Sequence, residues 1–173
     1  MNKKPTVTQL IGLLDKPALM KWANKIGLDG IKLEDYQKES KKKGTSIHKQ
    51  IEGKFHGIDF EEKETGVFFN NFIYDKYIID MEKNIETEWF VGRYDAKILY
   101  NEEEYICDFK SNNGIYFENK LQLTAYRMAN PNCKVAIVEV PNFIFKPIEI
   151  EYKKYEIIIK CLSKIWELKQ ELI

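Results

Sequence analysis

Arginine is scarce in this sequence. Its basic side chains are almost all lysine, with Arg93 and Arg127 the two exceptions, so reading bases through bidentate guanidinium pairs has little material to work with. Net charge is missing too: 27 Lys and Arg balance 27 Asp and Glu. A nucleic-acid binder usually shows a basic excess, so any such binding is left to local patches. The three cysteines, Cys107, Cys133 and Cys161, are too few and too scattered for a disulfide framework, a zinc cluster or a four-cysteine iron–sulfur site; they read as buried thiols. No run approaches the ~18 apolar residues that span a bilayer. The opening Met1-Asn2-Lys3-Lys4-Pro5 lacks the apolar stretch of a secretion signal. A cytoplasmic location without a membrane partner is therefore expected. Repeats, low-complexity tracts and linkers are also lacking. What is present is a 173-residue chain, 44% hydrophobic and 31% charged, long enough for one buried core.

The apolar pattern predicts helices first. Thr6 or Thr8 caps a short helix carrying Leu10, Ile11 and Leu14. Asp15-Lys16-Pro17 opens a second helix, with Leu19, Trp22 and Ile26 inward and a stop at Gly27. Leu33 to Phe55 reads as a longer helix, where Ile47, Ile51 and Phe55 form a stripe beside His48 and Glu52. Another helix is expected through Phe69, Phe72, Ile73, Lys76 and Tyr77. The period then changes. Ile85 to Val91 alternates, Tyr94 to Tyr100 puts Tyr94, Ala96, Ile98 and Tyr100 on one face, and Tyr105 to Lys110 follows a polar turn. A helix over Phe117–Ala129, strands at Val135–Val140 and Ile148–Tyr152, and a closing helix with Ile158, Leu162, Ile165 and Leu172 on one face complete the order. The expectation is an α/β domain over 1–173: a helical part to 84, a β-β-β-α-β mixed sheet over 85–152 and a C-terminal helix over 153–173.

Chemistry concentrates in Asp108-Phe109-Lys110. Eight acid-x-lysine triplets occur in the chain, so context has to separate them. In a strand, residues two apart share a face: Asp108 and Lys110 point together while Cys107 and Phe109 point into the opposite layer. Asp95 supplies a second carboxylate from the neighbouring strand of the hairpin. Two such carboxylates suit Mg²⁺, an ion that polarises a phosphodiester and activates water, with Lys110 offsetting the developing charge. Asp95-Ala96-Lys97 competes on spacing alone, and an ordinary ion pair at Asp108–Lys110 is the other alternative.

In order, Gly92-Arg93-Tyr94-Asp95, Asp108-Phe109-Lys110-Ser111 and Leu121-Gln122-Leu123-Thr124-Ala125-Tyr126, with Gly44-Thr45-Ser46-Ile47-His48 upstream, resemble the PD-(D/E)XK nuclease superfamily. The likeness is to its RecB/AddB/Cas4-like branch, and within it to stand-alone phage-type nucleases. Pro5-Thr6-Val7-Thr8, Lys16-Pro17-Ala18-Leu19 and Trp22-Ala23 extend the resemblance over nearly the whole chain. It implies a restriction-endonuclease-like core and a Mg²⁺- or Mn²⁺-dependent DNA nuclease, exo- or endonucleolytic, with RNA not excluded. A phage or prophage origin in a bacterial host is implied with it, as is a homo-oligomer or a recombination partner. It also implies His48, Asp95, Asp108 and the Phe109 carbonyl as metal ligands, Lys110 as the catalytic lysine, and Gln122 and Tyr126 as site support and backbone contact. Two features of relatives are missing: helicase motifs, and the four cysteines of cluster-bearing members.

Further residues have weaker claims. Arg93 can clamp a phosphate or pair with a carboxylate. Tyr116 is placed to stack on an unpaired base, and Lys43 to meet a phosphate. Glu88, read in the strand before Asp95, and Glu52, beside His48, are possible support. A catalytically silent scaffold of the same fold, binding nucleic acid or protein, is the competing function.

Overall fold

The computed structural model describes residues 4–15, 17–30, 32–111 and 114–172; the side chains at 17–19, 22, 36–37 and 39–45 also lie outside the description. Its elements run α1 (Val7–Ile11), α2 (Pro17–Leu28), α3 (Leu33–Phe55), α4 (Lys63–Phe72), β1 (Tyr77–Glu86), β2 (Val91–Tyr100), β3 (Glu103–Lys110), α5 (Phe117–Met128), β4 (Lys134–Glu139), β5 (Ile144–Pro147) and α6 (Tyr152–Glu171). The five strands form one sheet in the order β1-β2-β3-β4-β5. All neighbours are antiparallel except β3 and β4, which run parallel with α5 as the crossover between them. This is the α/β class expected, a mixed sheet flanked by helices at both ends; its strand order along the chain is β-β-β-α-β-β, one strand more than the β-β-β-α-β expected.

Strand alternation sorts the core into two layers. Ile106, Val135 and Ile137 point to one side, where α1, α5 and α6 cover them with Leu10, Leu121 and Leu162. Tyr105, Cys107, Phe109, Ala136 and Val138 point to the other, against Ile51 of α3 and Phe69 and Phe72 of α4. A central strand covered on both faces reads as a continuous apolar run, and β4 is one: all five of its residues from Val135 to Glu139 are buried. At the chain's start, Thr6 caps α1 through a capping box with Gln9, which settles the choice between Thr6 and Thr8.

Several boundaries differ from the expectation. The sheet begins at Tyr77, not near 85, because α4 stops at Phe72 and the apolar residues after it belong to a strand. The segment read as strand 85–91 is the end of β1 plus a turn over 87–90, held by the Thr87 hydroxyl, which accepts from the Trp89 and Phe90 amides. Gly27 lies inside α2; the left-handed residue beyond that helix is Gly30. The last strand is Ile144–Pro147, not 148–152. Tyr94 does not share a face with Ala96 and Ile98: it packs in the α5 layer and they pack in the α3 layer. On α6, Leu162 is buried, while Ile165 and Leu172 face solvent. The expected inward direction of Leu19 and Trp22 falls on side chains outside the description.

Candidate metal centre

Asp95 sits where the strand ladders on both its sides lapse. Between β2 and β3 the pairing runs from Tyr100↔Glu103 to Ala96↔Cys107 and stops, one step short of Asp95 and Asp108. β3 stays in register with β4 through Asp108↔Ile137 and Phe109↔Val138, so it is β2 that parts from it. Between β1 and β2 the pairs Met81↔Ala96 and Lys83↔Tyr94 flank a missing Glu82–Asp95 pair. Glu82 is left-handed there, with φ of 49°, an uncommon conformation for a residue with a Cβ. This distortion coincides with the change of face between Tyr94 and Ala96.

Side chains fill the resulting gap. Asp95 Oδ2 accepts the Phe109 N–H at 2.7 Å, a charge-assisted bond that pins the carboxylate to β3. From α3, His48 brings Nδ1 to 3.8 Å from Asp95 Oδ1 and 3.9 Å from Glu82 Oε1. Its Nε2 lies 3.2 Å from the Phe109 carbonyl oxygen, and its ring meets Phe109 edge-on at 5.9 Å. Ligand atoms of His48, Glu82 and Asp95 all lie within 4.8 Å of one another. One cation with bonds of ~2.0–2.6 Å can bridge that spread.

On the α5 side, Lys110 Nζ stands 2.8 Å from Asp108 Oδ2 and donates to Gln122 Oε1 at 3.2 Å. An ammonium only donates, so this contact fixes the Gln122 amide. Its Nε2 donates to the Tyr126 oxygen at 2.8 Å, which leaves the tyrosine's own proton free for another acceptor. Burial pushes the Tyr126 hydroxyl up, so that proton stays in place.

Two buried carboxylates thus lie beside one ammonium. Burial raises the Asp95 carboxyl well above its ordinary range and the charge of Asp108 adds to the rise; the Phe109 N–H and Lys110 oppose it. Burial raises Asp108 as well, against the pull of Lys110. Asp108 is only 1% exposed, and its Oδ2 makes no well-directed hydrogen bond despite the nearby ammonium. A buried carboxylate oxygen whose ammonium neighbour is poorly directed, beside a compact imidazole–carboxylate set, fits a divalent cation. Oxygen donors suit Mg²⁺, and the imidazole suits Mn²⁺.

No protein-family model matches the chain, and no curated protein matches it. Among solved structures, that of SSO0001 aligns with 95% of this chain and 77% of its own, at 15% identity and a TM-score of 0.44.

The structure gathers His48, Asp95, Asp108, Phe109, Lys110, Gln122 and Tyr126 in one region. It departs from expectation in the compact ligand trio, where Glu82 stands in place of Asp108. Arg93 pairs with that glutamate, Nε to Oε2 at 2.9 Å. Glu88 is exposed in the 87–90 turn and Glu52 is exposed on α3, so neither supports the centre. Tyr116 is 57% exposed at the start of α5, with its amide donating to Asn119. The Lys43 side chain lies outside the description. Glu82 lies in β1, which starts at Tyr77; a strand starting at 85 leaves it out and offers Glu88 as the acid ahead of Asp95.

Proposed function

We propose that this chain is a divalent-metal-dependent nuclease acting on DNA, with Mg²⁺ or Mn²⁺ held by His48, Glu82 and Asp95 beside Asp108. The observation that carries the reading is the convergence of that trio next to the buried Asp108 carboxylate and its Lys110 partner. Such an ion supplies Lewis acidity and lowers the pKa of bound water. The chain's own groups do the rest. Asp108 holds the Lys110 ammonium at the centre, and Gln122 holds it from the other side. A cation fixed in a site largely closed to water stabilises charge growing on a phosphodiester more than a solvated one does. Tyr126 offers its free proton to a phosphate oxygen. It also lines a cavity of about 750 Å³ with Arg93, Thr6, Thr8, Asn84 and Glu86. The choice of DNA rests on the resemblance of the motifs to PD-(D/E)XK nucleases.

The test is cleavage of labelled single-stranded, double-stranded and nicked DNA, and of RNA, with Mg²⁺, Mn²⁺ or EDTA. Wild type is compared with Lys110→Ala. We expect metal-dependent cleavage that falls by at least ~10²-fold in the variant, the scale of losing one electrostatic stabiliser. Wild-type cleavage in EDTA, or full activity in Lys110→Ala, contradicts the assignment. Metal binding without cleavage of any substrate favours the silent scaffold.

A further inference from the structure

α6 carries two apolar faces. One turns inward, where Ile159, Leu162 and Trp166 join the layer of α1 and α5 and the Ser163 hydroxyl donates to the Trp89 carbonyl at 2.7 Å. On the outward side, Ile157, Cys161, Ile165, Leu168 and Leu172 follow one another at intervals of three or four residues, and all are exposed. Ile165 and Leu168 remain 46% and 47% accessible. That interval is the seam of a helix–helix pair, and a contiguous exposed stripe of this kind marks an interaction surface.

The charges beside the stripe say what covers it. By helical geometry, Lys153, Lys160 and Lys164 lie along one flank of its N-terminal half, and Glu167 and Glu171 lie along the same flank of its C-terminal half. Lys169, in the last turn, lies on the opposite flank; a flank that is basic toward one end and acidic toward the other complements itself when antiparallel and repels itself when parallel. We propose that this face pairs with α6 of a second copy of the chain, antiparallel about a two-fold axis between Ile165 and Leu168. Ile165 then meets Leu168 of the partner subunit, and Cys161 meets Leu172 of the partner subunit. Lys160 and Lys164 face Glu167 and Glu171 of the partner subunit. Lys164 now pairs within its own helix, with Glu167 at 3.0 Å, so the swap exchanges one exposed partner for another. The surface covered is on the order of 1,000 Å² over both copies, at the low end for specific association; the dimer is dissociable.

Sedimentation velocity over a wide concentration range tests this, since every substituted position is on the surface. Wild type is expected to dimerise reversibly and Leu168→Lys to stay monomeric. Lys160→Glu/Lys164→Glu and Glu167→Lys/Glu171→Lys should each be monomeric alone and form a heterodimer when mixed. Orientation is read separately: mild oxidation of Leu172→Cys should trap a covalent dimer through Cys161, while oxidised wild type should not cross-link. A wild type that is monomeric throughout, as it would be if the stripe served a different protein, overturns the proposal. So does a charge-swapped pair that fails to associate, or a wild-type Cys161–Cys161 cross-link.

Discussion

Asp95 and Asp108 carry charge where the protein solvates it poorly, and that has a direct consequence for stability. Both carboxyls are raised in the folded, metal-free chain, so the folded state keeps protons that the unfolded state, with a carboxylate pKa of about 3.9, has released. The stability they contribute is full below that pH and is lost as pH rises through the raised folded values. Asp95→Asn keeps an oxygen for the Phe109 N–H and removes the charge. With EDTA present, the variant should melt above wild type at neutral pH, by roughly 1–3 kcal/mol, and the gap should close as the solution approaches the unfolded carboxylate pKa. Thermal melts of both proteins across that range check it; a variant less stable than wild type at neutral pH contradicts the electrostatic account. Glu82→Asn asks a different question of the same centre. Asn tolerates positive φ, so the fold should hold while Mn²⁺ affinity, read by calorimetry, drops at least ~10-fold, a loss of the size that disturbing a metal site typically brings. Unchanged affinity would remove Glu82 from the ligand set.

Among the elements, α1, β2 and α5 approach one another closely at Gly92. A Cβ built at Gly92 would stand 3.0 Å from Val7 Cγ2 and 3.4 Å from Tyr126 Cε1. Gly92→Ala should therefore destabilise by ~1–3 kcal/mol, as overpacking does, and shift Tyr126 from its bond with Gln122; chemical denaturation measures the first effect. The same elements show what a reader of the chain can and cannot see. The bounds of α3 are legible in the sequence, although of its stripe Ile51 is buried and Phe55 is exposed; the Asp108–Lys110 face follows from strand alternation alone. The face of Tyr94 was not legible: alternation assumes an unbroken ladder, and β2 breaks at Asp95. Glu82 is hidden too, since β1 starts eight residues earlier than the alternation shows and the left-handed backbone at Glu82 is not announced by residue type. α6 misled in another way. Two apolar faces on one helix merge into a single apparent stripe, so the periodicity groups Ile165 with Leu162 although one is exposed and the other buried.

At the scale of the whole molecule the centre lies at the sheet whose two faces carry the two layers. His48 reaches it from the α3–α4 side, and Gln122 and Tyr126 from the α1–α5–α6 side. A cation there links both layers, and by mass action it stabilises the folded chain by about 2.7 kcal/mol at a hundredfold excess over its Kd. For a chain of this size that is a rise in Tm of roughly 5–10 °C, which melts with Mn²⁺ and with EDTA should show and Asp95→Asn should abolish. The most direct test is anomalous diffraction from crystals grown with Mn²⁺. We predict one strong manganese peak bonded to His48, Glu82 and Asp95 beside Asp108. Crystals saturated with Mn²⁺ that show no peak there, or a peak elsewhere with this trio unliganded, would contradict the assignment of the centre.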